Sequence, residues 1–243
     1  MPTTLLIAVF GVFAASVLRG FTGFGFGLAA VPLLSLALPP AKVVPFVTVL
    51  QVLIGVAGLR AAWRQADWRA VLGLGPGLVL GIPLGLLVLT EFSPNHVRLA
   101  IGLLIAASVV VLWRRVRLPP RPAFGLTLGV GVASGVMNGL ASMGGPPVVV
   151  YLLALAHDAI VVRASSIVYF LFAAAITAIP MALRGLVDRE VLVWSVASIP
   201  VLLIGSAIGS WAFMHSKPHY HRLIALVVLS VLAMLLIVRA LAV

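Results

Sequence analysis

The chain has 243 residues, of which 63% are hydrophobic and only 9% are charged, and it contains no cysteine. Because a soluble domain keeps about a quarter of its residues charged, this composition excludes a water-soluble globule, and the lack of cysteine excludes disulfides and thiolate metal sites. The 16 Lys and Arg outnumber the 5 Asp and Glu, but nucleic-acid binding is not predicted because no soluble domain presents the basic residues.

Apolar stretches long enough to cross a bilayer occur in both halves of the chain. A hydrocarbon core of about 30 Å needs roughly 20 apolar residues per helical span. We predict spans at residues 43–62, 70–90, 97–113, 160–183, 191–213 and 223–241. The apolar N-terminal segment lacks the preceding positive charges of a signal peptide and is expected to be mature structure. The sequence therefore predicts an all-α, polytopic protein of the cell inner membrane.

Two further apolar regions are interrupted by glycine and proline. Residues 5–38 contain the run RGFTGFGFG, and residues 124–156 contain the run NGLASMGGPP. Glycine and proline at this density break a helix. We predict that each region forms two short half-helices that meet at a non-helical break, as a re-entrant pair.

The order of these features predicts an internal duplication. The matched landmarks are Gly20 and Pro32 with Gly135 and Pro147, Asp67 with Asp188, and Gly81 and Gly85 with Gly205 and Gly209. We predict a first transmembrane repeat over residues 1–116 and a second over residues 117–243. Each repeat would contain one broken helix pair and three full spans.

Arginine-rich loops predict the orientation of the chain. Residues 60–69 carry three Arg and residues 114–121 carry four, and positively charged loops face the cytoplasm. If each broken pair enters and leaves on one side, each half crosses three times, so the second repeat is inverted relative to the first. The loops at 91–97 and 184–190 and both termini would then lie outside, and Lys217 inside.

The helix that follows each break suggests an anion site. Its first N–H groups have no intrahelical partner, and the helix dipole places positive charge there. Thr22 and Ser142 can cap these ends or donate hydroxyls to an oxyanion, and Asn138 offers an amide donor. The glycines that would let an anion approach the main chain are Gly23, Gly25, Gly27, Gly139, Gly144 and Gly145. We predict substrate binding between the two breaks, with tight helix packing as the alternative role of the glycines.

Polar side chains within the spans are few, and each requires a function or a hydrogen bond. Thr48 and Gln51 lie one turn apart in the third apolar segment, and Ser166 and Tyr169 occupy the matching positions of the second half. We predict that these side chains line the substrate cavity, with interhelical hydrogen bonding as the alternative. Arg19, directly before the first break, either pairs with the anionic substrate or extends to the membrane interface.

The sequence shows no pattern typical of a metal site, a cofactor site or a catalytic centre. His215, His219 and His221 lie near Lys217 but have no carboxylate close by, which indicates a solvated loop. All five acids lie at the ends of predicted spans, so neither a buried proton relay nor an intramembrane protease centre is visible. The glycine run lacks the strand and the acidic partner of a dinucleotide fingerprint. These absences argue against an enzyme.

The paired breaks resemble those of the sulfite exporter TauE/SafE family, also described as a sulfonate uptake permease family. The resemblance rests on residues 20–27 followed by Pro32, and on residues 134–147, and it covers nearly the whole chain. Many members have consecutive glycines in the first break, whereas Phe24 and Phe26 intervene here.

The resemblance implies a secondary transporter, an exporter or a permease, for a small anion such as sulfite, sulfoacetate or another organosulfonate. Its partners would be the anion and the lipid bilayer, with a homodimer left open. The alternative is a non-transporting membrane scaffold or assembly partner. A transporter requires a polar cavity at the breaks, whereas a scaffold would have breaks that are packed shut.

Overall fold

The computed structural model describes residues 2–22, 25–113, 119, 122–155, 158–215 and 218–242. Within these ranges the chain forms ten α-helices and no strand. They are α1 Pro2–Thr22, α2 Phe26–Ser35, α3 Pro40–Ala62, α4 Trp68–Glu91, α5 Pro94–Trp113, α6 Phe124–Ala141, α7 Gly145–Ala154, α8 Ala159–Leu183, α9 Arg189–Met214 and α10 Pro218–Leu241.

In the described parts of the chain, six helices are long and apolar enough to cross a membrane, namely those that contain Thr3–Phe21, Trp68–Glu91, Pro94–Val111, Phe124–Ala141, Ile160–Leu183 and Arg189–Ala212. The remaining two predicted spans correspond to α3 and α10. The prediction of an all-α, multi-pass membrane protein is therefore confirmed. Most of the predicted cytoplasmic loop 114–121, the repeat boundary at 116 and 117, and Lys217 lie outside the described residues.

Both predicted breaks are present, but the helices that precede them are longer than predicted. α1 has 21 residues and α6 has 18, or about 32 and 27 Å at 1.5 Å per residue, whereas α2 and α7 have 10 each. Each region is thus a long helix followed by a short one, rather than two half-helices. The prediction was wrong because Gly20 does not interrupt α1 and Gly139 does not interrupt α6.

Glycines within α1 and α6 instead allow close packing between the two halves of the chain. A Cβ atom at Gly20 would lie 3.0 Å from the Cα of Gly209 in α9, and a Cβ at Gly135 would lie 2.9 Å from the Cα of Gly81 in α4. Small residues allow helix backbones to approach closely in a membrane. Landmark glycines of each half therefore contact landmark glycines of the other half.

The contact between α3 and α8 runs antiparallel. A Cβ at Gly55 would meet Leu171, and a Cβ at Gly58 would meet Ile167, so residue numbers rise along one helix and fall along the other. α3 and α8 hold equivalent positions in the two predicted repeats. An antiparallel contact is the one that inverted repeats require, and it supports that arrangement, which stays a prediction.

The matched aspartates begin matched helices. The Asp67 carboxylate accepts hydrogen bonds from the N–H groups of Arg69 and Ala70 at 2.9 and 3.1 Å. The Asp188 carboxylate accepts one from the N–H of Val191 at 2.9 Å. Both carboxylates satisfy amides that have no intrahelical partner at the starts of α4 and α9, which explains their position at the ends of spans.

Candidate anion-binding site

Ser142 ends α6 in the left-handed conformation, with φ 49° and ψ 34°. It is the one residue other than glycine with positive φ in the part of the chain that the structure describes. Its N–H donates to the carbonyl of Asn138 at 2.7 Å, and the N–H of Met143 donates to the carbonyl of Met137 at 3.3 Å. These bonds terminate the helix and turn the chain into the second break.

A buried hydrogen-bond chain holds this break in place. The hydroxyl of Tyr169 donates to Ser134 Oγ at 2.9 Å, and Ser134 Oγ donates to the carbonyl of Gly144 at 2.7 Å. A Cβ at Gly144 would lie 2.6 Å from that Ser134 oxygen, so a side chain has no room there. Tyr169, which lies in α8, thus fixes the backbone of the break. This is interhelical hydrogen bonding, the alternative to the predicted cavity-lining role.

Asn138 also holds the break. Its Nδ2 donates to the carbonyl of Ala173 at 3.1 Å and to Thr177 Oγ1 at 2.7 Å, while its Oδ1 accepts from the N–H of Gly144 at 3.4 Å. A primary amide has two N–H donors, and both are engaged here. Asn138 therefore ties α6 to α8 and does not offer the free amide donor that the sequence suggested.

The start of α7 offers fewer N–H donors than predicted. The N–H of Gly144 is already bonded to Asn138, and the prolines Pro146 and Pro147 have none. Gly145 contributes the N–H that remains at this helix start. The second break therefore contributes one backbone donor where several were expected.

Thr48 and Gln51 of α3 both contact the second break. Thr48 Oγ1 forms a hydrogen bond with Ser142 Oγ and also donates to the carbonyl of Val44 at 2.8 Å. Gln51 Nε2 donates to the carbonyl of Ser142 at 2.8 Å. α3 thus positions the left-handed turn, in addition to the contacts from α8.

The first break packs directly on the second. α2 begins after Gly25, which caps the helix without a side-chain hydrogen bond, and the N–H groups of Phe26 and Gly27 have no acceptor within the helix. A Cβ at Gly27 would overlap the carbonyl of Ser142 and would lie 2.5 Å from Gln51 Nε2. Glycine is required there because the two breaks touch.

A cavity of about 100 Å³ lies where the two helix starts meet. The predicted site residues that line it are Arg19, Gly25, Gly27, Gln51, Asn138, Ser142, Gly144 and Gly145. Apolar side chains also line the cavity, among them those of Ile54, Ile167 and Leu171. Its volume is sufficient for several water molecules or one small oxyanion.

The remaining predicted residues do not line this cavity or cannot be placed. Those that lie elsewhere are Thr48, Gly139, Ser166 and Tyr169. Gly139 packs against the α4 backbone, and the hydroxyl of Ser166 donates to the carbonyl of Val162 within its own helix. Gly23 and the side chain of Thr22 lie outside the described residues.

The residues predicted from the sequence to line the cavity did not include one face of α8 that does line it. Ile167, Phe170 and Leu171 line the cavity from this helix, and Arg163 lies one turn before Ile167 on the same face. Arg163 is close enough to Arg19 for their positive charges to interact, and neither has a carboxylate partner among the described residues. The three-to-four-residue spacing from Arg163 to Phe170 was the signal in the sequence.

Two comparisons with known proteins identify sequences similar to this chain. A family model described as "Sulfite exporter TauE/SafE" matches residues 7–236. The chain is similar to a curated protein from Cupriavidus necator named probable sulfite/organosulfonate exporter TauE, with 27% identity over 216 residues that cover 86% of this chain and 83% of that protein. No solved structure matches the chain.

Proposed function

We propose that this chain, which belongs to the sulfite exporter TauE/SafE family, exports sulfite or a small organosulfonate across the cell inner membrane. Family membership makes it a multi-pass membrane transporter rather than an enzyme. The curated relative's name supports the choice of a sulfur-containing anion. The substrate would bind in the cavity between the two breaks.

The observation that carries the proposal is the cavity between the starts of α2 and α7. Arg19 places a positive charge at its wall, and the described lining residues include no Asp or Glu. A cavity with low-dielectric walls and charge of one sign concentrates counter-ions. This arrangement favours the binding of an anion. A transporter requires an open cavity at the breaks, whereas a scaffold would have breaks that are packed shut.

The donors around the cavity suit a compact oxyanion with several acceptor oxygens. Phe26 and Gly27 offer backbone N–H groups at the positive end of α2, and Gly145 offers one at the start of α7. Hydrogen bonds that involve a charged group contribute roughly 1.5–3 kcal/mol each. Donors from both halves of the chain would therefore hold one anion together.

Gln51 has two roles in this proposal. Its hydrogen bond to the Ser142 carbonyl occupies an acceptor that would otherwise repel an anion. Since a primary amide has two N–H donors, the second one remains for the substrate. Ser142 Oγ, which is shared with Thr48, can contribute a hydroxyl after a rotation about its side-chain bond.

Transport in proteoliposomes tests the proposal. We expect the purified protein to transport labelled sulfite or sulfoacetate in preference to sulfate and thiosulfate. In Gly25→Val the new side chain would enter the cavity, since the nearest atom to a Cβ at Gly25 is Phe170 Cε2 at 4.0 Å, and transport should be lost without unfolding.

The matched control is Gly75→Val in α4, where a Cβ meets nothing within 4 Å. Normal transport is expected from this variant. Transport of none of these anions by the native chain, or full transport by a folded Gly25→Val protein, would contradict the proposal.

A further inference from the structure

The ring of Phe170 lies between the two helix starts. A Cβ at Gly25 would be 4.0 Å from Phe170 Cε2, and a Cβ at Gly145 would be 3.3 Å from Phe170 Cζ. The outer edge of one ring therefore faces the first turn of α2 and the first turn of α7. We propose that Phe170 is the residue that sets which anions the site accepts, by limiting the size of the group attached to the anionic head. This inference rests on the proposed function.

The ring is held by its neighbours on α8. Tyr169, the preceding residue, is buried and bonded to Ser134, and its ring centroid lies 6.0 Å from that of Phe170 at an interplanar angle of 75°. An edge-to-face pair of this kind favours one ring orientation. Phe170 is therefore placed by a side chain that is itself fixed to the second break.

The backbone behind the ring is also fixed. Ile167 and Leu171 flank Phe170 on α8 and pack against Gly58 and Gly55 of α3, where added Cβ atoms would lie 3.2 Å and 2.8 Å from them. Because α3 and α8 are in close contact on this side, a larger substrate cannot be accommodated by shifting α8 toward α3. Space for a larger substrate would instead have to come from movement or truncation of the Phe170 ring.

The edge of an aromatic ring is also a suitable surface for an anion. The π-system gives the ring a negative face and a positive edge, and it is the edge that faces the helix starts. A compact oxyanion can therefore contact the ring edge and the backbone N–H groups of Gly27 and Gly145 at the same time. An organic substituent larger than the remaining space would collide with the ring.

Truncation of Phe170 should therefore change selectivity more than it changes transport of the smallest substrate. One methylene in an apolar pocket changes discrimination by about 10-fold to 200-fold. In Phe170→Ala we expect the ratio of benzenesulfonate to sulfite uptake to rise by at least about tenfold, which is the lower end of that scale. Methanesulfonate and ethanesulfonate should fall between them in order of size.

The experiment measures initial uptake rates of these four anions into proteoliposomes for the native chain, Phe170→Ala and Phe170→Leu. The matched control is Phe172→Ala in the same helix, because Phe172 is exposed, lies 6.2 Å from the ring of Trp68 and does not line the cavity. The ratio should rise in both Phe170 variants and stay at the native value in Phe172→Ala. If Phe170→Ala does not fold, the Phe170→Leu ratio decides.

Unchanged ratios in a transporting Phe170 variant, or an equal rise in Phe172→Ala, would overturn the inference and leave the proposed function in place. Failure of the native chain to transport any of the four anions would instead contradict the proposed function and the inference with it. The two failures are therefore distinguishable in one set of measurements.

Discussion

Lys42, in the first turn of α3, forms an ion pair with Asp188, the residue that directly precedes α9. Lys42 Nζ also lies 3.2 Å from a carboxylate oxygen of Glu190. These contacts connect the first half of the chain to the second at the end of the helix bundle that the loop charges predict to be outside. The ends of both α3 and α9 at this surface are thereby held together.

This ion pair predicts a pH dependence of stability. The hydrogen bond from Lys42, followed by that from the Val191 N–H, holds the pKa of Asp188 below its ordinary value. A carboxyl with a lowered pKa in the folded state stabilises the fold above its unfolded pKa of about 3.9, and this contribution is lost as the pH falls through the folded pKa.

We expect the Tm of the detergent-solubilised protein to fall as the pH is lowered from about 5 to 3, and to fall less in Asp188→Asn. The control is Glu91→Gln, because Glu91 is exposed and takes no part in the Lys42 ion pairs. Identical acid sensitivity in the native chain and Asp188→Asn would assign the effect to other carboxyls.

Single replacement of the acids should leave transport largely intact. The described cavity lining contains no carboxylate, so no acid is placed to relay a proton to the substrate. We expect Asp67→Asn, Glu91→Gln, Asp188→Asn and Glu190→Gln to retain most of their uptake in proteoliposomes. Loss of uptake from any one of them, with the fold intact by circular dichroism, would place that acid in the transport cycle.

Arg19 should contribute to substrate affinity. Loss of one charge-assisted hydrogen bond, worth roughly 1.5–3 kcal/mol, should weaken the apparent affinity of Arg19→Gln by about tenfold or more. Arg69→Gln is the matched control, since Arg69 is exposed at the start of α4 and does not line the cavity. An unchanged KM for sulfite in Arg19→Gln would mean that this side chain extends to the interface instead.

Ser142 allows the backbone and the hydroxyl to be separated. Glycine can adopt the left-handed backbone conformation of Ser142 without strain, whereas in alanine this conformation costs about 1–2 kcal/mol. We expect Ser142→Gly to have a higher Tm than Ser142→Ala. Both variants should bind the anion more weakly, because both lack the hydroxyl. Native affinity in both variants would mean that Ser142 Oγ does not bind the anion and serves its hydrogen bond with Thr48.

Labelling of single cysteines tests the predicted orientation, and the chain has no native cysteine to interfere. Arg64→Cys should react with a membrane-impermeant reagent from the cytoplasmic side. Asn95→Cys and Asp188→Cys should react from the outside. Reaction of position 188 from the cytoplasm would refute the inverted arrangement of the second half.

Several features of the protein could be predicted from residue type and order. The spans follow from apolar length, because lipid cannot satisfy an unpaired backbone amide. The breaks follow from glycine and proline density, and the cavity does lie beside them. The same local reasoning failed for Gly20 and Gly139, because whether a glycine interrupts a helix or joins it to another depends on the helix packed against it.

Only the tertiary structure decided which groups face the cavity between the two breaks. Asn138 carries an amide of the expected kind, but Ala173 and Thr177 engage both of its N–H donors from another helix. The spacing of Ile167 and Phe170 indicates that they share a face of α8, but that face reaches the cavity because α8 packs against the glycines of α3. Helical periodicity indicates which side chains share a face, whereas long-range packing determines what that face meets.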